Sequence, residues 1–251
     1  MSLYRLKISA RSSNEKRKWL DWEEYLEVVA QLKLELRNLI DSHSKPDKNT
    51  TGNFTPKDKA VATAYQRFLV LAIFSCVPDR QRTIRELEIG RTLLKEDQSW
   101  VIKHGPGDYK TGKTYGDRPP LMIAIELQHA IDDFVNNWRP ALCNSESPAN
   151  LFLQTKTGKQ LTQDSVYQIV SRACYKFTGK RTNPHLLRDM LVTHVRQTSN
   201  ASEKQLEALA LYMGHSVSMQ RDSYDRRTIE QKVAPAVDLL KSVNANSSST
   251  I

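Results

Sequence analysis

Apolar residues recur at helical spacing over most of the chain. Leu26, Val29, Ala30, Leu32, Leu36 and Ile40 predict a first helix from Asp21 to about Asp41, with Asp21 as its cap. SHSKPDKNTTGNFT then breaks the pattern. Thr55 and Pro56 open a second helix with Val61, Ala64, Tyr65, Phe68, Leu69, Ala72 and Cys76 on its buried stripe, and Pro78 ends it. Between Leu93 and Ile125 the period shortens towards two. Trp100 to Lys103 and Leu121 to Ile125 read as strands around a long Gly-rich hairpin, HGPGDYKTGKTYGDRPP, and Leu151 to Gln154 reads as a third strand. Further helices are predicted over Glu126–Trp138, Thr162–Thr178, from Pro184, around Leu206–Met213 with Gly214 as a left-handed end, and over Thr228–Val243, interrupted near Pro235. The fold class is therefore mainly α with a small antiparallel β-sheet (α+β).

Domain organisation follows from the same breaks. Residues 1–50 form a basic N-terminal arm and one helix, residues 51–243 the main domain, and the Ser/Asn-rich residues 244–251 a disordered tail.

Charge narrows the partner. The net charge of +9 over 251 residues favours an anionic ligand, because Lys and Arg displace counterions condensed on a phosphate backbone. Basic residues recur around turns (Lys110, Lys113, Arg118, Lys156, Lys159, Lys180, Arg181) rather than in one polybasic tail. That scatter suits double-stranded DNA better than a lipid surface. No segment has the run of about 20 apolar residues that spans a bilayer, and the N-terminus has no signal-type apolar core. No membrane association is expected, and the protein is expected to be cytoplasmic and nucleoid-associated. Cys76, Cys143 and Cys174 lack CxxC spacing, which argues against a zinc site and a disulfide framework.

Candidate chemistry concentrates in residues 183–226. Pro184 starts a helix, so His185 and Arg188 lie one turn apart on one face near its positive end. His215 follows a Met-Gly step, and Tyr224 stands nine residues later in a polar stretch. Arginines also cluster after Pro78, beside Asp79.

Taken with Arg80 and a hairpin lysine, HLLRDMLVTH and YMGHSVSMQRDSY resemble the HxLRH…ATH and LGHSSxxxTxxxY boxes of the tyrosine recombinases, the phage-integrase family, over most of residues 56–240. The resemblance implies a recombinase catalytic domain that cleaves and rejoins DNA through a 3′-phosphotyrosyl intermediate. It assigns Arg80 and Arg188 to the scissile phosphate, His185 and His215 to hydrogen bonding and proton transfer, and Tyr224 as nucleophile. Ile84 and Leu87 fit the family's apolar register from Arg80; Arg82 is the alternative. The general acid falls on Lys110, with Lys113 as the alternative. No metal or other cofactor is implied.

The sequence departs from the family pattern at Thr83, where an acidic residue is common, and at Asp189, where a second histidine is common. Of the family's N-terminal DNA-clamping bundle, residues 1–50 have room for one long helix, so the chain is either a catalytic fragment or one with a reduced clamp. The resemblance also implies a homotetramer on two DNA sites, joined through the C-terminal helix. A type IB topoisomerase or hairpin resolvase would use the same residues, and a DNA-binding module that has lost catalysis would keep the fold.

Overall fold

A computed structural model describes residues 15–43, 46, 53–109, 112–198, 201–214, 216–228 and 230–237. Two long helices make its centre. Helix α1 (Trp22–Asp41) starts where the Asp21 N–H donates to Glu24 Oε2 at 2.9 Å. Helix α2 (Pro56–Cys76) starts where Thr55 Oγ1 accepts the Asp58 N–H at 3.1 Å, with proline at its first position. Trp22, Tyr25, Val28, Leu32 and Leu36 of α1 enter the same hydrophobic core as Val61, Phe68, Leu69 and Ile73 of α2. A short helix α3 (Gln81–Arg85) follows, and its Ile84 is fully buried.

The sheet is an antiparallel meander of β1 (Leu93–Glu96), β2 (Ser99–Ile102) and β3 (Leu121–Met122), with Leu93 opposite Ile102 and Ile102 opposite Leu121. Two expectations change here. The third strand is β1, reached through a two-residue turn in which Asp97 and Gln98 both have positive φ, a turn usually signalled by Asn-Gly. Residues 151–154 join no strand of the sheet. Instead the Gln66 side chain donates to the Leu153 carbonyl at 2.9 Å and accepts its N–H at 2.7 Å, giving that backbone a buried partner.

Between β2 and β3 a short helix α4 (Gly112–Tyr115) interrupts the hairpin. Beyond the sheet come α5 (Ile125–Asp133), continued by a π-helical turn at Phe134–Trp138, and α6 (Gln163–Thr178), which Gly179 ends at φ 72°. Helix α7 (Pro184–Thr198) and helix α8 (Glu203–Tyr212) lead to Gly214 at φ 70°. A single turn at Val217–Met219 then widens into a π-helical turn at Gln220–Tyr224. Residues 230–237 are helical and continue through Pro235. Residues 1–14 and 238–251, with the expected start of the arm and the tail, lie outside the described residues. Among the described residues no helix is long and apolar enough to cross a membrane.

Candidate active site

Four segments converge on one cleft of about 480 Å³, lined by Arg80, Arg82 and Arg85 from around α3, Gln163 from α6, His185 and Arg188 from α7, and Tyr224. Asn183 caps α7: its Oδ1 accepts the His185 N–H at 3.0 Å and the Leu186 N–H at 3.2 Å. This fixes the first turn, leaving the His185 side chain exposed and Arg188 one turn deeper, only 1% exposed. The Tyr224 ring lies 5.2 Å from the Arg188 guanidinium carbon and meets the His185 ring edge-on at 6.4 Å.

Arg188 is held from behind. Its Nη1 donates to Asp79 Oδ1 at 3.3 Å and its Nη2 to the Met213 carbonyl at 3.0 Å. Burial pulls its pKa down, against the opposing pull of Tyr224 and Asp79. Even so, an arginine with a carboxylate beside it stays charged near neutral pH.

Asp79 and Arg118 were not among the candidate site residues, yet they organise this floor. Asp79 is 2% exposed and also accepts from Arg118 Nη1 at 2.5 Å and from the Arg80 N–H at 2.6 Å. Burial pushes the Asp79 carboxyl up, but the Arg118 and Arg188 guanidiniums more than reverse this and hold it below its ordinary pKa. Arg118 reaches on to the Tyr212 carbonyl and stacks over the Tyr109 ring at 5.0 Å. The two arginines thus grip the carbonyls of Tyr212 and Met213, the last residue and the C-cap of α8, at the negative end of that helix just before the turn at Gly214. Their signal in the sequence was slight: an acid after Pro78 and one arginine in a hairpin rich in basic residues.

Thr83 does not take over the acidic residue's task. Its hydroxyl donates to the Arg80 carbonyl at 2.6 Å and closes the first turn of α3. The buried acid sits at Asp79, on the other side of Arg80 in sequence. Arg82 is occupied by Glu86 at 2.9 Å, which also accepts from Arg85, whereas the Arg80 guanidinium meets no carboxylate among the described residues.

Lys113 is exposed on α4 and is not among the residues lining the cleft. Lys110 and His215 lie outside the described residues. Among the described residues no group of three or more His, Cys, Asp or Glu side chains comes together as a metal site, and the three cysteines are unpaired.

A mainly helical body with this antiparallel meander is the fold of a tyrosine recombinase catalytic domain. No family model and no curated protein sequence matches the chain. The likeness comes from solved structures. The XerH site-specific recombinase bound to palindromic difH substrate, in a post-cleavage complex, matches with a TM-score of 0.59 and 18% identity over 89% of this chain and 53% of that one. Its pre-cleavage complex with difH gives a TM-score of 0.53 and 18% identity, covering 86% and 52%. The XerA recombinase gives a TM-score of 0.52 and 13% identity, covering 74% and 62%. At these identities the likeness is one of fold, and the chain spans between half and two thirds of the length of these proteins.

Proposed function

We propose that the chain is a site-specific DNA recombinase that breaks and rejoins strands through Tyr224. The observation that carries this reading is the placement of the Tyr224 ring against buried Arg188 in a cleft shared with Arg80 and His185. The Tyr224 oxygen attacks the scissile phosphorus, its proton passing to a histidine, and the bond to the 5′-oxygen breaks. The 5′-oxygen leaves with a proton from Lys110, or from Lys113 if the hairpin register favours it. The products are a 3′-phosphotyrosyl bond and a free 5′-hydroxyl. Attack by a 5′-hydroxyl, from the same strand or another, reverses the step and restores Tyr224.

The chemistry of the cleft suits this sequence. Charge develops on the non-bridging phosphate oxygens, and fixed guanidiniums meet it without reorganising. Arginine can grip two oxygens at once, and Arg188 is fixed by Asp79 and the Met213 carbonyl. His185 and His215 complete the contacts to phosphate. The covalent intermediate keeps the energy of the broken bond, so resealing draws on no nucleotide. Exchange needs two aligned duplexes, and we assign the contact between copies of the chain to the C-terminal helix, which is exposed at 230–237.

A duplex nicked close to its target site tests the reading, because the short 5′-fragment diffuses away and traps the intermediate. A complex that survives denaturation is expected from the wild type and not from Tyr224→Phe. If Tyr224→Phe still forms it, Tyr224 is not the nucleophile. A wild type that binds DNA without forming it is a binding module. Activity on a single duplex, with no exchange between two, would mark a topoisomerase or resolvase instead.

A further inference from the structure

The backbone around Tyr224 is tied to α7 by side chains that have no part in the chemistry proposed above. Asp189 is fully buried, and its Oδ2 accepts from Arg226 Nε at 3.0 Å and Nη2 at 2.7 Å. Its Oδ1 accepts no hydrogen bond among the described residues. One turn along, Thr193 Oγ1 donates to the Tyr224 carbonyl at 3.2 Å and accepts the Arg226 N–H at 3.0 Å. Near the end of the helix the Arg196 carbonyl accepts from Arg227 Nη1 at 2.7 Å. Positions 189, 193 and 196 form one stripe of α7, immediately beside the face that presents His185 and Arg188.

Such a stripe is costly. A carboxylate removed from water is unfavourable unless a cation meets it, and an apolar residue at 189 would carry no such penalty. Burial pushes the Asp189 carboxyl up, and only the Arg226 contact and nearby positive charge pull it back. Arg226 is by contrast 43% exposed and also lies 4.0 Å from Glu15, so packing does not dictate its position.

We propose that Asp189 is a positioning residue for the nucleophile: through Arg226, and together with Thr193, it pins residues 224–226 to the helix that carries His185 and Arg188. The inference rests on the reading of Tyr224 as nucleophile. Its consequence is that each copy of the chain holds its own tyrosine over its own Arg188. Arg226 therefore acts through the protein backbone, whatever else it touches when DNA is bound.

Single-turnover cleavage of the nicked duplex by the full chain tests this. Arg226→Met removes the cation from a partly exposed side chain without opening the core. It is expected to slow covalent complex formation at saturating DNA by about 10- to 100-fold, with half-saturation within about twofold of wild type. Arg226→Lys should recover part of the rate, and Asp189→Asn combined with Arg226→Met should be no slower than the slower single variant. Wild-type rates for Arg226→Met, or losses that multiply in the double variant, would overturn the proposal. If the wild type itself forms no covalent complex, the reading of Tyr224 fails on its own. The latch is then decided by amide hydrogen exchange at 224–227: faster exchange in Arg226→Met supports it, and unchanged exchange overturns it.

Discussion

Asp79 and Arg188 meet at 3.3 Å across 109 residues of chain, both nearly sealed from solvent. The contact joins the link between α2 and α3 to the helix that carries the candidate site. With Arg118 on the other oxygen, one carboxylate pairs with two buried guanidiniums from different parts of the fold and offsets one of their two charges. The architecture and the cleft are therefore coupled at Asp79.

Asp79→Asn should be strongly destabilising, since both arginines keep their charge and lose the counterion that justified their burial. The expected loss is about 3 to 5 kcal/mol of unfolding free energy, as for other broken buried pairs. Urea denaturation measures it. A loss under about 1 kcal/mol, the scale of an exposed pair, would show that the two contacts contribute little.

The same carboxylate predicts a pH dependence. Its folded pKa lies below the unfolded value of about 3.9, so its ion pairs contribute fully above roughly pH 4. That contribution is lost as pH falls through the lower folded value. Melting temperatures followed from pH 6 downward should fall more steeply for the wild type than for Asp79→Asn. Parallel curves would count against the coupling.

The leaving-group proton can be assigned by chemistry that bypasses it. Replacing the scissile 5′-oxygen with sulfur gives a leaving group that departs without protonation. Lys110→Ala should lose about 10²- to 10⁴-fold on the ordinary phosphodiester and regain most of it on the sulfur-bridged substrate. Lys113→Ala should show neither effect. The opposite pattern would move the general acid to Lys113.

The helical part of this fold was legible because its signals are local: Thr55 with Pro56, Pro184, Gly214, and apolar residues at helical spacing. The sheet was less so. The β1–β2 turn uses Asp97 and Gln98, which do not advertise positive φ, and the Leu153 backbone is paired by a glutamine 87 positions away. The site divided along the same line. His185, Arg188 and Tyr224 stood out by spacing, and the cleft brings them together with Arg80. Asp79, Arg118 and the Asp189–Arg226 pair acquire meaning only from partners distant in sequence. Thr83 is the instructive case: the expected acid is missing there, while the structure buries one four positions earlier.

The turn at Gln220–Tyr224 is π-helical, one residue wider than an α-helical turn. That extra residue sets the bearing of the tyrosine. Removing any one residue of Gln220–Ser223 would draw the widened turn in to α-helical spacing and shift the ring at position 224 relative to Arg188. The segment should therefore tolerate exchanges of side chain far better than any change in its length, and a one-residue deletion there should silence the protein as completely as loss of the hydroxyl itself.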